Sequence, residues 1–233
     1  MEGHDGTFVV FEGIDGSGTT TQIHRYAARM KAQKRMVHVT REPSTGPVGN
    51  MLRLALSHRL VLPSAFQAQT MALLFAADRL DHLAAEVEPL LRDGAIVLSD
   101  RYDLSSLAYQ SASCTEQDPA ATIPWIRTLN KHARRPDVTV VLDVSPGVAE
   151  ARRRSRGGSA ELYDDDSLQA RLARAYLNAE ALVPGDVVIH IDGDRSVDEV
   201  ERDVVDKLGP HVERSASTPP PRSAGNPPDR DLR

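Results

Sequence analysis

The stretch Phe8-Val9-Val10-Phe11-Glu12-Gly13-Ile14-Asp15-Gly16-Ser17-Gly18-Thr19-Thr20 decides the fold. Four apolar, strand-favouring residues run straight into a turn containing three glycines, and a helix-forming segment follows over about residues 20–33. Glycines let the backbone turn tightly and aim several N–H groups at phosphate oxygens. The positive N-terminal end of the following helix strengthens that attraction. The spacing from Gly13 to Thr20 is that of a P-loop, so Gly13, Ile14, Asp15, Gly16, Ser17, Gly18, Thr19 and Thr20 are the expected ATP-binding residues. Thr20 stands where a hydroxyl ligates Mg²⁺.

Thr19 occupies the position usually held by lysine, whose mobile charge serves the β- and γ-phosphates. Two readings follow: a nucleotide-binding pseudokinase that has lost catalysis, or an enzyme in which another cation covers the phosphates. Arg152, Arg153, Arg154 and Arg156 form a dense cluster suited to the second role. Arginines in such sites are worth about 10³–10⁵ in rate, so the active reading is favoured.

Outward from the loop, short apolar runs recur at residues 36–40, 95–99, 138–144 and 187–191, separated by helix-length segments. With the first run they predict a five-stranded parallel sheet, buried on both faces by helices, in an α/β three-layer arrangement. A long helix is expected over about residues 64–91. Its apolar stripe is broken by Asp78, Arg79 and His82 near the face of Phe75, which reads as a ligand-facing patch because buried charge is costly unless it is paired or lines a cavity. Asp100 and Arg101 follow the 95–99 strand, at the sheet edge where ligands of open α/β sheets gather. There the arginine can grip a phosphate through its planar fork, and the aspartate can orient Mg²⁺ or its waters.

Composition narrows the classes. The 233-residue chain suits one domain, and its net charge of −5 argues against a surface that coats nucleic acid. No apolar run approaches the roughly 20 residues that span a bilayer. One cysteine, Cys114, cannot form an internal disulfide, which points to a reducing, cytoplasmic setting. The eight histidines are scattered, with no zinc-site spacing. Residues 1–6 are read as a flexible start, 7–208 as the domain, and 209–233 as a disordered proline-rich tail.

Four elements in order resemble the thymidylate kinase family over about residues 8–208: Phe11-Glu12-Gly13-Ile14-Asp15-Gly16-Ser17-Gly18, Thr40-Arg41-Glu42-Pro43, Leu74-Phe75-Ala76-Ala77-Asp78-Arg79, and Asp100-Arg101-Tyr102 with Ser105, Ser106, Tyr109 and Gln110. The resemblance implies a three-layer P-loop kinase fold with a small lid, a homodimer, and Mg²⁺-dependent transfer of phosphate from ATP to dTMP. It implies that Phe75 stacks on the thymine and that Arg79 reaches the base carbonyl and ring nitrogen. Ser106 reaches the base, and Tyr109 crowds the sugar where a ribonucleotide carries its 2′-hydroxyl. Asp15 accepts from the 3′-hydroxyl of the acceptor or touches the metal. Arg41 goes to the acceptor phosphate, with Glu42 holding Arg41 in place, and Gln110 completes the acceptor site. Asp100 joins Thr20 as a metal ligand. Arg101 serves both acceptor binding and catalysis. Family members without an arginine in the phosphate loop carry one in the lid, about residues 151–166 here, which makes Arg153 and Arg156 the catalytic candidates. The lid reads Glu161-Leu162-Tyr163-Asp164 in place of the usual D-R-x-E, so which arginine acts stays open. A kinase for another nucleoside monophosphate is the alternative substrate reading.

Overall fold

The computed structural model describes residues 6–63, 66–113, 119–156 and 166–213. Five strands, β1 (Thr7–Glu12), β2 (Val37–Arg41), β3 (Ile96–Asp100), β4 (Val138–Asp143) and β5 (Val188–Asp192), form one sheet in the order β2-β3-β1-β4-β5. Every pairing is parallel; Val9 lies opposite Leu98 on one side and Val138 on the other.

Alternation along β1 explains why its run is apolar throughout. Val9 and Phe11 enter a core with Ile23, Tyr26 and Met30 of α1 (Thr19–Ala32) and Val204, Leu208 and Val212 of α10 (Val197–Glu213). Phe8 and Val10 enter the opposite core with Leu83, Val87, Leu91 and Tyr102. A strand covered on both faces cannot alternate with polar residues. On the Val10 face a third cluster surrounds Val141 of β4, in which Ile14 and Tyr109 pack with Leu172 and Tyr176.

The remaining helices are α2 (Pro47–Leu56), α3 (Gln67–His82), α4 (Glu88–Arg92), α5 (Asp103–Ser113), α6 (Pro119–Leu129), α7 (Pro146–Arg156), α8 (Asp166–Leu177) and α9 (Ala179–Leu182). The expected long helix is present as α3 and α4 joined by one π-helical turn, Leu83–Val87. Pro89, which has no N–H to donate into the ladder, follows that turn.

Two expected boundaries move. The helix α10 runs on through Gly209 and Pro210 to Glu213, because Val212 is 1% exposed within the core; residues 209–213 therefore belong to the domain. Gly6 is also fixed: its N–H donates to the Leu91 carbonyl, and a Cβ there would lie 2.5 Å from the Ala95 carbonyl oxygen. The expected flexible residues 1–5, the tail beyond 213, Cys114 and lid residues 157–165 lie outside the described residues.

Candidate active site

The strand order reverses at β1, which has β3 on one side and β4 on the other, so the crevice past their carboxyl ends is where a ligand fits. The loop after β1 fills its floor. Gly16 has φ 90°, and a Cβ there would come within 2.4 Å of the Ala149 carbonyl oxygen, so the tight approach of α7 requires glycine. Gly18, at φ 96°, is the N-cap of α1 and offers no capping side chain. The first N–H groups of α1 therefore face the loop, as an anion site requires.

Two arginines of α7 brace this loop. Arg153 Nη1 donates to the Asp15 carbonyl at 2.7 Å, and Arg152 donates to the carbonyls of Ser17 and Gly193. Of the clustered arginines, Arg152 and Arg153 are thus placed at the phosphate loop, Arg152 on Ser17 and Arg153 on Asp15. Arg154 is turned outward onto Glu150, and Arg156 closes α7 with a side chain outside the described residues. Thr19 is half-buried beside Gly18. Thr20 Oγ1 donates to Asp100 Oδ2 at 2.5 Å, uniting the two expected metal ligands from elements 80 residues apart. Both offer oxygen, the donor type that a hard cation prefers.

Arg101 sits immediately after β3 with φ 76°, in the left-handed region that costs a side-chain-bearing residue about 1–3 kcal/mol. Its N–H donates to the Phe11 carbonyl, while its guanidinium reaches Asp15 Oδ1 at 2.5 Å and lies 5.1 Å from the Tyr109 ring centre. Tyr109 donates to the other oxygen of Asp15 at 3.1 Å, so Asp15, Arg101 and Tyr109 form one unit. Burial pushes the Tyr109 hydroxyl well above its ordinary pKa and keeps it a donor.

Beneath Arg101 lies Glu12, fully buried. It accepts hydrogen bonds from the Tyr102 and Ser105 N–H groups and from the hydroxyls of Ser105 and Tyr176. Burial raises its pKa to about 7, against the lowering effect of Arg101 and of the Ser105 and Tyr102 donors.

A pocket opens beside this unit, lined by Phe75, Arg79, Ser106, Tyr109 and Gln110 together with Asp15 and Arg101. The sequence-read acceptor residues are therefore brought together, with one exception. Arg41 is exposed at the end of β2 and lines an adjoining cleft with Arg53, Asp100 and Arg101.

Three expectations are corrected. Glu42 does not hold Arg41; it is buried and pairs with Arg79 at 2.7 Å and with His82 at 3.5 Å. Asp78 and His82 do not face a ligand. Asp78 accepts from the Ser44 N–H and hydroxyl, and His82 contacts Thr40 Oγ1, so they fasten β2 and the segment after it to α3. Arg79 lines the pocket, but its terminal nitrogens are engaged by Glu42, Ser106 and Asn130. Its Nε, and Oε1 of Gln110, are buried polar atoms without a partner among the described residues. Each of these buried groups meets a charge or dipole from a distant element, because a buried ion stripped of water needs one.

Four residues carry no sequence signal for the positions they hold. Arg53, from α2, donates to the carbonyls of Pro43 and Ser44 while lining the cleft beside Arg41. Asn130, in the turn after α6, and Gln169 and Tyr176, on α8, come from segments remote in sequence. Glu12 did have a signal: an acid ending an otherwise apolar strand that is buried on both faces.

The whole arrangement lies inside the segment, residues 11–204, matched by a family model described as thymidylate kinase. The chain is 41% identical over 202 residues to a probable thymidylate kinase of Pyrobaculum aerophilum, covering 86% of this chain and 95% of that protein. It is 39% identical over 202 residues to a thymidylate kinase of Bifidobacterium longum, covering 84% and 94%. With a thymidylate kinase of Ruegeria pomeroyi the identity is 35% over 215 residues, covering 90% and 98%.

Proposed function

The chain belongs to the thymidylate kinase family, and on that premise we propose how its residues carry out the family reaction. It is a dTMP kinase: the γ-phosphoryl group passes from ATP to dTMP, giving ADP and dTDP, one phosphorylation short of dTTP. The observation that carries this reading is the junction of two sites at one sheet edge. The acceptor pocket and the phosphate loop share Asp15, and Arg101 stands on their boundary.

An oxygen of the dTMP phosphate attacks the γ-phosphorus in line, and the bond from that phosphorus to the β–γ bridging oxygen breaks. Such chemistry needs alignment and charge compensation more than covalent help. The loop N–H groups and the N-terminal end of α1 hold the ATP phosphates. Arg153 replaces the absent loop lysine, since it is the α7 arginine anchored on the Asp15 carbonyl. Arg101 bridges the acceptor and transferred groups, and Arg41 and Arg53 add positive charge where the acceptor phosphate enters. Thr20 and Asp100 would hold Mg²⁺, which neutralises charge on the β- and γ-phosphates.

Phe75 supplies a stacking face for the base. Gln110 presents an unpaired carbonyl oxygen to a ring N–H, and Arg79 has Nε left to give to a base carbonyl. An acceptor for a ring N–H suits thymine and uracil and disfavours cytosine. Tyr109, held on Asp15, crowds the sugar.

A homodimer belongs to the same reading. Phe66, Leu73 and Leu80 recur every seventh residue along α3 and its entry and are 68%, 52% and 41% exposed, and Met51 and Leu54 on the adjoining α2 are also exposed. Such a stripe suits burial against a second copy. Among the described residues no helix is long and apolar enough to cross a membrane. A cytoplasmic setting fits the single cysteine.

A coupled assay with ATP and dTMP, dUMP, UMP or CMP tests the substrate. dTMP should turn over fastest and CMP slowest. A preference for CMP or UMP, or binding of ATP and dTMP without turnover, would overturn the reading.

A further inference from the structure

Arg101 has more partners than an ion pair requires, and one of them comes from an unexpected place. Its Nη1 shares two protons among the Gly13 carbonyl at 3.2 Å, Ser105 Oγ at 3.2 Å and Tyr176 Oη at 3.3 Å, while Nη2 holds Asp15. Tyr176 is 2% exposed near the end of α8, 75 residues from Arg101. Both hydroxyls also lie against one oxygen of Glu12, at 2.6 Å for Ser105 and 3.0 Å for Tyr176. A hydroxyl has one proton. With both protons given to Glu12, the lone pairs of both oxygens are left for Arg101.

The same helix touches the other half of the ion pair. Gln169, two turns before Tyr176, places Nε2 3.4 Å from Asp15 Oδ2. Between them Leu172 is fully buried, so Gln169, Leu172 and Tyr176 form one inward face of α8. Arg101 itself is held in a left-handed backbone conformation, which side-chain anchors must help to maintain.

We infer that Tyr176 is a positioning residue for Arg101: its hydroxyl, polarised by Glu12, sets the guanidinium against Asp15 and thereby ties the aim of the phosphate-gripping arginine to the placement of α8. The inference rests on the reading of Arg101 given above. Tyr176 touches neither nucleotide in this scheme; it acts through Arg101 alone.

The test is a double-mutant cycle between Tyr176→Phe and Arg101→Lys, with kcat and both KM values measured. Tyr176→Phe keeps the ring in its core and removes only the hydroxyl. It should lower kcat about tenfold or more, as small misplacements of aligned groups do, and leave the KM for ATP within about twofold. Arg101→Lys keeps the charge but loses the fork, and should itself cost at least about tenfold. In the lysine background, adding Tyr176→Phe should change kcat by less than about twofold, because the group it positions is gone. A merely structural hydroxyl would cost the same in both backgrounds, and that additivity would overturn the inference while leaving the Arg101 reading intact. Near-normal turnover of Arg101→Lys would overturn both. Should Tyr176→Phe fail to fold, Ser105→Ala removes the neighbouring acceptor without touching α8. It must show the same loss of effect in the lysine background, and additivity there counts equally against the inference.

Discussion

Glu12→Gln offers a quantitative check on the buried hub. The carboxyl is fully enclosed, and burial raises its pKa from 4.5 to about 7. A carboxyl whose folded pKa lies above its unfolded value binds more protons folded than unfolded between those two values. Stability therefore falls as pH rises through the window from 4.5 to about 7. Below 4.5 both states are protonated and the group contributes nothing. Above 7 both are ionised and the full penalty applies. At about 1.4 kcal/mol per pKa unit, that penalty is about 3 kcal/mol. Glutamine cannot ionise, so the variant lacks this slope. Urea unfolding of the nucleotide-free protein at intervals from pH 5 to 8 should show the wild type losing about 2–3 kcal/mol relative to Glu12→Gln. The lost carboxylate acceptors shift the variant by a constant amount, leaving the difference in slope untouched. Parallel stability curves over that range would refute the reasoning and mean that Glu12 is ionised throughout, its donors and Arg101 having outweighed burial.

The absent loop lysine gives a second test. Arg153→Ala should lower kcat by about 10²–10³, Thr19→Lys alone should change it little, and the double variant should recover most of the loss; a large gain from Thr19→Lys alone would show that no arginine covers the phosphates. Thr20→Ala should raise the Mg²⁺ concentration for half-maximal rate about tenfold, and an unchanged Mg²⁺ titration would remove Thr20 from the metal assignment. Leu73→Glu with Leu80→Glu should convert a dimer into monomers in sedimentation velocity, with the circular dichroism of the folded chain retained because neither side chain is buried in the core of the single chain. A wild type that is monomeric at tens of micromolar would contradict the dimer.

Much of this protein is legible in short windows of sequence. A strand that must be apolar on both faces, a turn whose glycines take positive φ, and a helix that starts on the last glycine are each specified within a dozen residues. Hence the strand, phosphate loop, helix unit was readable without coordinates. The same holds for the five strands, which are displaced in the structure by only a residue or so, and for Asp100 and Arg101 at the sheet edge.

What the windows could not supply is which buried charge meets which partner. Asp78, Arg79 and His82 share a helix and looked alike. Only the packing of α3 against β2 and the segment after it gave Asp78 to Ser44, His82 to Thr40 and Glu42 to Arg79. Residues 209–213 read as part of a proline-rich tail, yet the burial of Val212 carries α10 through Gly209 and Pro210. Tyr176 had no motif at all, and it matters because α8 delivers its hydroxyl to Glu12 and Arg101. Backbone conformation is settled by neighbours in the chain, so sequence determined the loop and the strands. Desolvated polar groups are settled by whatever neighbours folding brings within 3 Å, and that only the tertiary structure decided.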